Sequence, residues 1–592
     1  MGRSSVLVRL SGRKQGDQSS TSNGNGVRRE APQNSWRRRS LASLSRKLPP
    51  GLKPRSPSTA IDPVVVQPVL NDDDDTEEEP QGYYPKPVEV IRQEEYPHMN
   101  QGVYLDHGGT TIYARATIER TTAKLLANLY GNPHSANRPA ALSGDVVDGA
   151  RARALRFLGA DPRHFDLVFA ANATAAIKLV ADAFRDLAAR SSRATSRASF
   201  WYGYHRDAHT SLVGVRELAG GDHHVFADDE EVEAWLDGGG DAWDGGGHGN
   251  GHWHGHGCGC GHGAAGEQRG RGGGVQRLSS LGLFAYPGQS NLTGRRLPLE
   301  WAGRLRRAAR ARRDLRDTYS LLDAAALAMT SPMAEVFADP EAAPDFVCVS
   351  FYKIFGFPDL GGLVVRRDSG HILALRKYFG GGTVSMVSTI SGAWHLSKGL
   401  ERTAGAGGGE ASVSGALHEG LEDGTLPFHS ILALGEAIDV HAELFGSMQS
   451  VSAHTTALAR RMYRRMKRLR HYNGQPLCEV YGDGEGGAAY GDARRQGATI
   501  AFNVFRADGG YESYATVEKL ANESPNGLSL INELPTGVVR VSLGAMSTIQ
   551  DVDKFLAFLH DAFTTREDSA YGNSNGGGSA ASVKSEPGEG YG

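Results

Sequence analysis

Two short apolar runs, each ending on polar residues, lie in the stretch from Tyr319 to Gly362, which is YSLLDAAALAMTSPMAEVFADPEAAPDFVCVSFYKIFGFPDLGG. The first run, YSLL, ends at Asp323, and the second, FVCV, is followed by SFYK, which ends at Lys353. Short apolar runs bounded by turn residues are typical of buried strands in a parallel sheet. Functional groups of open α/β sheets lie at the carboxyl ends of the strands, so we expect Asp323 and Lys353 to enter one crevice.

An acid and a lysine in one crevice have two interpretations. A lysine with a lowered pKa can form a Schiff base with an aldehyde, and a carboxylate can keep a pyridine nitrogen protonated, which together describe a site for pyridoxal 5'-phosphate (PLP). A simple ion pair is the alternative, and the spacing of the two residues alone favours the ion pair. The decision therefore depends on the rest of the chain.

The composition is that of an ordinary soluble protein. The chain has 592 residues, of which 40% are hydrophobic and 22% charged, and its formal net charge is -3. This length allows more than one domain, and the balanced charge gives no indication of nucleic-acid binding. No apolar run is long enough to span a membrane. Four cysteines make no disulfide framework, so we expect a reducing compartment, the cytoplasm, with mitochondrial targeting by the basic amino terminus as the alternative.

Shifts in composition predict two folded domains between two disordered tails. The first tail is basic and serine-rich and then acidic, and the last is rich in glycine and serine. A Gly/His tract interrupts the first domain. The predicted boundaries are 1–95 for the first tail, 96–425 for a large cofactor-binding domain with a disordered insert at 238–274, 426–564 for a small domain and 565–592 for the last tail.

The Gly/His tract holds ligand types that suit a soft or borderline metal, namely His248, His252, His254, His256, His262, Cys258 and Cys260. The Cys-Gly-Cys spacing is not that of a closed zinc site, and glycine supplies no rigid surroundings for the ligands. We therefore interpret the tract as a flexible loop and expect no metal in the functional site.

A strand, a turn of small residues and a helix follow one another from Phe165 to about Leu187. Free N–H groups at such a helix start, with a hydroxyl such as that of Thr174, favour a bound phosphate. On this segment alone, a plain N-cap role for Thr174 is the favoured interpretation. His209 ends another predicted strand, where it could stack on an aromatic ring or simply be a hydrogen-bonded loop residue.

Eight motifs, taken in order, resemble the amino-terminal domain of eukaryotic molybdenum cofactor sulfurases, relatives of the class V cysteine desulfurases. They are YLDHGGTT, YGNPHS, DAHTSLVG, YPGQSN, LLDAA, SFYKIFGFPDLGGL, YFGGGT and LEDGTLPFHSILALGEAID. The resemblance extends from Tyr104 to Phe563, apart from the Gly/His tract. It implies an α/β fold of the aspartate aminotransferase-like, PLP-dependent type (fold type I), with a mainly parallel central sheet and a smaller α/β domain.

The resemblance also implies roles around the cofactor ring. Lys353 matches the lysine that forms the Schiff base with PLP, and Asp323 matches the partner of the pyridinium nitrogen. His209 falls where the family stacks an imidazole on the ring. Asn291 matches the residue near the phenolic oxygen of PLP.

Further roles concern the phosphate and the substrate. Thr174 and Ser350 fall at phosphate-binding positions, where Ala173 offers its backbone. Thr425 resembles a threonine that reaches the phosphate of the neighbouring subunit, which implies a homodimer. Arg540 matches the arginine that binds the substrate carboxylate, a task that suits its forked guanidinium.

The sequence departs from the desulfurase pattern at several positions. Ala326 stands where many desulfurases have glutamine, and Tyr352 where they have histidine. The segment from Leu520 to Pro535, LANESPNGLSLINELP, has no cysteine, whereas desulfurases carry a mobile loop there whose cysteine holds the sulfur as a persulfide. We also expect the carboxy-terminal domain of full-length sulfurases to be missing.

The main hypothesis is a PLP-dependent cysteine desulfurase-like protein that takes sulfur from L-cysteine and supplies it to molybdenum cofactor or a molybdoenzyme. The alternatives are a PLP-dependent lyase or transaminase without persulfide chemistry, and a PLP-binding partner protein without turnover. The missing loop cysteine could also be a gene-model error. We expect neither nucleic acid nor membrane as a partner.

Overall fold

The computed structural model describes residues 82–100, 102–191, 199–238, 281–390, 394–399, 416–482, 487, 489–522, 530–531, 534–535 and 537–564. All of them belong to one compact unit of the chain, Glu77–Gly592. The last predicted tail, residues 1–81 of the first tail and the Gly/His tract beyond Gly238 lie outside the described residues.

A seven-stranded sheet forms the centre of the fold. Its strands are β1 (Phe165–Ala170), β2 (Trp201–His205), β3 (His223–Phe226), β4 (Gly282–Pro287), β5 (Thr318–Asp323), β6 (Phe346–Ser350) and β7 (Gly361–Arg366). The order across the sheet is β1-β7-β6-β5-β4-β2-β3. Every neighbouring pair is parallel except the two that contain β7. The prediction of a mainly parallel sheet, with the runs before Asp323 and Ser350 as adjacent strands, is confirmed.

Fourteen α-helices accompany the strands in the described part of the chain. They are α1 (Val88–Glu95), α2 (Arg115–Ala127), α3 (Arg138–Leu158), α4 (Ala173–Ser191), α5 (Thr210–Val213), α6 (Asp229–Asp237), α7 (Trp301–Ala311), α8 (Ala334–Phe337), α9 (Phe351–Phe355), α10 (Gly370–Ala374), α11 (Phe428–Phe445), α12 (Met448–Arg468), α13 (Tyr514–Asn522) and α14 (Ile549–Phe563). Among the described residues, no helix has the length and apolarity that crossing a membrane requires.

Helices cover both faces of the large sheet. One hydrophobic cluster joins strand residues such as Leu322 and Val347 to α3, α6, α7 and α11. A second joins the alternate residues, such as Leu321 and Cys348, to α4, α5 and α10. Successive strand residues point to opposite faces, so strands buried on both sides must be apolar throughout, as the runs YSLL and FVCV are.

A smaller antiparallel sheet has the order β10-β11-β14, where β10 is Cys478–Tyr481, β11 is Thr499–Val504 and β14 is Val539–Ser542. It packs with α12 and α14 around a separate hydrophobic cluster. Two short hairpins complete the described strands: β8 (Val384–Val387) with β9 (His395–Ser397), and β12 (Leu530–Ile531) with β13 (Leu534–Pro535).

Residues 82–114, named the N-terminal arm below, correct the first predicted boundary. Helix α1 lies inside the segment predicted to be a disordered tail, so that prediction is wrong for residues 88–95. The segment is charged, but Ile91 is 1% exposed and packs in a cluster with Phe445 and Met546. Arg92 also makes a two-pronged ion pair with Asp551. The arm is therefore ordered by contacts with the part of the chain that follows α11.

Candidate active site

A cavity of about 300 Å³ lies where the carboxyl ends of β4, β5 and β6 meet the start of α4. This is the crevice in which ligands of open α/β sheets bind. Eight of the nine residues singled out from the sequence line it, namely Ala173, Thr174, His209, Asn291, Asp323, Ser350, Lys353 and Arg540. Thr425 is the exception.

Asp323 is the last residue of β5 and pairs in register with Cys348 of the neighbouring strand. Its carboxylate is 6% exposed. The Oδ1 atom accepts hydrogen bonds from the backbone N–H of Ala325 at 3.0 Å and from the Cys348 thiol at 3.7 Å. Both contacts go to Oδ1, and the described residues leave Oδ2 as an acceptor for a ligand in the cavity.

Lys353 lies in α9, directly after β6, and its side chain is half-buried. Burial lowers the pKa of its amine from the ordinary value, although the nearby Asp323 carboxylate acts in the opposite direction. A lower pKa leaves more of the amine neutral near pH 7, and only the neutral amine can attack an aldehyde. Lys353 therefore lies in the cavity with a lowered pKa, and both properties suit covalent binding of a carbonyl ligand.

At the start of α4, Asn172 rather than Thr174 makes the N-cap contact. Asn172 Oδ1 accepts a hydrogen bond from the N–H of Ala175 at 2.9 Å, so Asn172 makes the side-chain contact of an N-cap. Thr174 instead pairs its hydroxyl with that of Ser211 at 2.7 Å. The N–H of Ala173 donates to Ser350 Oγ at 3.2 Å. Hydroxyls and helix N–H groups thus converge at this end of the cavity, as an anion requires.

His209 precedes the short helix α5 and faces the same cavity. Its Nδ1 accepts a hydrogen bond from the N–H of Ser211 at 3.2 Å, which leaves Nε2 to carry the proton of the neutral ring. Burial lowers the pKa of His209, so the ring is neutral at pH 7. A neutral imidazole is suited to stacking on an aromatic ligand.

Arg540 approaches from β14 of the smaller sheet. One guanidinium nitrogen, Nη2, donates to Asp106 Oδ1 at 2.6 Å, and the other, Nη1, donates to the carbonyl oxygen of Asn291 at 3.0 Å. The turn after Asp106 is tied to the same strand, since the N–H of Gly108 donates to Ser542 Oγ at 2.7 Å. The N-terminal arm and the smaller sheet therefore meet at this end of the cavity.

Two ends of the cavity can thus be named. The sheet end consists of Thr174, Asp323, Ser350 and Lys353, all at strand ends or at the start of α4. The junction end consists of Asp106, Gln289 and Arg540. Of these, Gln289 and Arg540 line the cavity and Asp106 binds Arg540.

Thr425 lies outside this cavity, beside a neighbouring one of about 600 Å³ on the other side of the start of α4. Its hydroxyl accepts a hydrogen bond from Asn132 Nδ2 at 3.2 Å. The segment before it is held by a buried ion pair, in which Glu422 binds Arg151 at 2.7 Å, and Glu422 also accepts from the N–H of Phe169. Thr425 therefore lies in a segment anchored by this ion pair, outside the cavity that the other eight residues line.

Sequence reasoning missed three residues of the site. Ser211 connects Thr174 to His209, Gln289 lines the cavity two residues before Asn291, and Asp106 binds Arg540. The available signal was proximity in the sequence, since Ser211 follows His209 at the start of α5 and Gln289 precedes Asn291 in the segment after β4. The contact between Asp106 and Arg540 could not be predicted from a local sequence pattern, because the two residues are 434 positions apart.

The two cysteines that the structure describes are both buried. Cys348 is 0% exposed and Cys478 is 4% exposed. Burial raises the pKa of the Cys348 thiol well above its ordinary range and that of Cys478 to about 12. Because the thiolate is the nucleophile, neither cysteine is suited to attack sulfur near pH 7.

Sequence comparison finds close relatives. Residues 103–201 match the aminotransferase class-V family model. The chain is 43% identical over 519 residues to a molybdenum cofactor sulfurase from Aspergillus niger, covering 82% of this chain and 55% of the relative. It is also 43% identical over 516 residues to one from Botryotinia fuckeliana, covering 81% and 56%. The chain thus spans about half the length of these curated relatives.

Solved structures support the same fold. The apo cysteine desulfurase from Thermococcus onnurineus has a TM-score of 0.54 at 16% identity, with 80% of this chain and 98% of that one covered. The cysteine desulfurase CsdA from Escherichia coli has a TM-score of 0.52 at 17% identity, again with 80% and 98% covered. A C-DES mutant with glycine covalently linked to its PLP cofactor has a TM-score of 0.50 at 13% identity, with 79% and 99% covered.

The resemblance inferred from the eight motifs is therefore confirmed. Over 82% of its length the chain is homologous to the molybdenum cofactor sulfurases, its residues 103–201 match the class V aminotransferase model, and it has the fold type I architecture of the cysteine desulfurases.

Proposed function

We propose that the chain is a PLP-dependent protein that acts on a small amino acid, L-cysteine, as the sulfur-mobilising part of a molybdenum cofactor sulfurase. One observation carries the proposal. Eight residues from six separate segments of the sequence, each with a role implied by the family motifs, line a single cavity at the strand ends. An isolated ion pair between Asp323 and Lys353 would explain none of the other six.

The residues fit PLP at each of its functional groups. Thr174 and Ser350 offer hydroxyls to a phosphate at the helix start, where the Ala173 N–H donates to Ser350 Oγ, and Asp323 has a buried carboxylate for a pyridinium nitrogen. Lys353 has the lowered pKa that aldehyde binding requires. When bound, PLP withdraws electrons from the α-carbon of an amino-acid substrate. The neutral ring of His209 would cover one face of the cofactor and exclude water there.

The proposed substrate and sulfur recipient are inferred from the chemistry of Arg540 and from the names of the similar proteins. Arg540 keeps N–H groups beyond the two used by Asp106 and Asn291, since a guanidinium has five, and these would bind the carboxylate of an amino acid. Cysteine is the substrate that the names of the solved neighbours indicate, and molybdenum cofactor is the recipient that the curated relatives indicate. We also propose a cytoplasmic location, which no contact in the fold tests.

We further propose a homodimer in which Thr425 contributes to the phosphate site of the partner. Within one chain, Thr425 faces a cavity beside the start of α4 rather than the phosphate end itself. The buried pair of Arg151 and Glu422 gives the segment the rigidity that a contribution to another subunit would need. Sedimentation of the purified protein at twice the mass of one chain is the expected result.

A second candidate function is PLP chemistry on amino acids without a persulfide. The segment from Leu520 to Pro535 contains no cysteine. Cys348 and Cys478 are buried with raised pKa values, which removes them as substitutes. A lyase or transaminase needs only the cavity and no thiol, whereas a binding partner without turnover would release no product at all.

The cofactor proposal is tested by absorbance. Protein purified with PLP should show the visible band of a lysine-bound cofactor, and Lys353→Ala should abolish that band. Lys554, exposed on α14, provides the matched control, because Lys554→Ala should leave the band unchanged. A band that survives Lys353→Ala would refute the assignment.

The fate of sulfur separates the remaining alternatives. With L-cysteine, a lyase releases sulfide into solution without leaving sulfur on the protein, and mass spectrometry of the intact chain should then show no added 32 Da (one sulfur atom). A stoichiometric persulfide on Cys348 or Cys478 would contradict this prediction. Loss of all products from L-cysteine, with the visible band intact, would favour the binding partner.

A further inference from the structure

Gln289 lines the cavity, but its side-chain amide has no role in the cofactor and substrate binding proposed above. The residue follows β4, is 2% exposed and lines the cavity together with Pro287 and Asn291. Gln289 also forms a short bridge with Arg296, just before the turn that begins at Asn291. Gln289 therefore belongs to the wall of the site.

Arg296 fixes which way the amide points. Its Nε–H donates to Gln289 Oε1 at 3.1 Å, and a guanidinium can only donate, so the atom facing Arg296 must be the oxygen. Arg296 Nη1 also donates to the carbonyl oxygen of Ala493. Burial lowers the pKa of Arg296 to about 10, which still leaves it charged at neutral pH. The NH₂ group of Gln289 is thereby directed away from Arg296.

That NH₂ group has no hydrogen-bond partner among the described residues. Buried donors are almost always paired, and leaving one unpaired costs free energy. The nearby Gln496, 3% exposed, differs: its Nε2 donates to the carbonyl oxygens of Thr293, Gly497 and Thr499 at 2.8, 3.3 and 3.0 Å, whereas its Oε1 has no partner among the described residues. Of these two buried amides, only that of Gln289 has an unpaired donor.

The space around Gln289 is also specific. A Cβ atom at position 497 would lie 2.1 Å from Gln289 Oε1, so the amide fits only because residue 497 is glycine. The chain therefore provides room for the amide, a cation to orient it and an unpaired donor on a cavity wall.

We propose that Gln289 is a substrate-binding residue, whose Nε2–H donates to a carboxylate oxygen of the amino acid beside Arg540. Arg540 Nη1 binds the carbonyl of Asn291, two residues after Gln289, and both Arg540 and Gln289 line the same cavity. A carboxylate has enough lone pairs to accept from both. The inference rests on the proposed function, since it takes the substrate to be an amino acid whose carboxylate faces Arg540.

Two probes isolate the carboxylate. L-Alanine and ethylamine differ only by this group, and neither carries a thiol that could react further. Calorimetric titration of the PLP-loaded protein gives a Kd for each probe, and a thermal melt gives the Tm of each variant. The ratio of the two Kd values measures how much affinity the carboxylate contributes.

Gln289→Glu is the main variant. Glutamate keeps an acceptor for Arg296 but replaces the NH₂ donor by an anionic oxygen, so we expect L-alanine to bind between about 10- and 100-fold more weakly. Ethylamine should bind within about twofold of the wild-type value. Gln289→Met, which removes donor and acceptor together, should weaken L-alanine in the same range. Gln496→Met is the matched control and should lower Tm without changing the ratio.

The outcomes are distinguishable. Wild-type-like affinity of Gln289→Glu for L-alanine, at unchanged Tm, would overturn the role of Gln289 and leave the proposed function intact. An equal loss for L-alanine and ethylamine in both Gln289 variants would also overturn it, since a distorted cavity would then explain the result. Failure of the wild-type protein to prefer L-alanine over ethylamine would instead refute carboxylate binding by Arg540.

Discussion

The two ends of the cavity are built differently. At the sheet end, each functional residue follows directly from a strand or a helix start of the large sheet, and the backbone of that element sets its position. At the junction end, Arg540 from β14 is held by Asp106 of the N-terminal arm and by the carbonyl of Asn291 after β4. The sheet end is thus formed by the elements of one sheet, whereas the junction end is formed by segments that are far apart in the sequence.

The difference assigns different tasks to the two ends. Rigid strand ends suit a cofactor that stays bound through many turnovers, because they hold their groups without rearrangement. A junction between packed segments can adjust as a substrate enters and leaves. We therefore expect perturbations of the junction to change substrate affinity and perturbations near the sheet end to change cofactor binding.

The largest expected effect comes from the two buried ion pairs that support the ends. Arg151 and Glu422 lie near the sheet end with side chains 6% and 5% exposed, and Arg92 and Asp551 lie near the junction with 12% and 5%. Replacing either arginine by methionine leaves an unpaired buried carboxylate, which costs about 3–5 kcal/mol. Chemical denaturation should show this loss of unfolding free energy for both Arg151→Met and Arg92→Met.

Measuring the affinities of the same two variants for L-alanine and PLP tests whether the two ends of the cavity have separate tasks. Arg92→Met should weaken L-alanine more than PLP, since it loosens the arm that carries Asp106. Arg151→Met should weaken PLP more than L-alanine, since it loosens the support of the sheet end. Arg163→Ala, at an exposed pair with Asp161, should change neither affinity nor Tm. Identical binding profiles for the two methionine variants would show that the ends are not independent.

A smaller effect on stability is expected when the pH is lowered, because of His107, the residue next to Asp106 of the junction end. Burial lowers the pKa of His107 to about 4, against 6.5 for a free histidine. Between these values the unfolded chain binds a proton that the folded chain does not, so stability falls as the pH falls from 6.5 toward 4. The expected contribution of this residue is about 3 kcal/mol.

The variant His107→Gln should remove that part of the pH dependence of the unfolding free energy. His560, 51% exposed on α14, provides the control, and His560→Gln should leave the slope between pH 6.5 and 4 unchanged. A wild-type slope in His107→Gln would mean that other groups cause the acid sensitivity.

The smallest effect is expected at Asp106. Its side chain is 60% exposed, so the charge it places near Arg540 is largely screened by solvent. Asp106→Asn keeps an acceptor for Arg540 but removes a negative charge that repels a substrate carboxylate. We expect L-alanine to bind about two- to fivefold more tightly, as measured by calorimetry. A tenfold weakening would instead show that the charge of Asp106 positions the guanidinium.

The sheet end could be predicted from the sequence because its signals are local. The short apolar runs place Asp323 and Ser350 at strand ends, and Lys353 follows three residues later. The same reasoning placed helix α1 in a disordered tail, because its charged residues hide the one apolar side chain, Ile91, that the fold buries. Local patterns show what a segment can form, but not what distant partner stabilises it.

The junction end could be predicted only in part. The family motifs indicated Arg540 and Asn291, but Asp106 is separated from Arg540 by 434 residues, and no periodicity connects them. Gln289 owes its unpaired donor to Arg296 and its space to Gly497, which are facts of packing. Thr425 was predicted for the phosphate of a neighbouring subunit, and that role remains a proposal.

The central claim is that Lys353 binds the aldehyde of PLP in a cavity arranged for it. Borohydride reduction of the PLP-loaded protein fixes the cofactor to the lysine that holds it, and mass spectrometry of the digested chain then identifies that residue. We predict a single phosphopyridoxyl group on the peptide that contains Lys353. A label on another lysine, or no label in a protein that retains its native Tm, would contradict the claim.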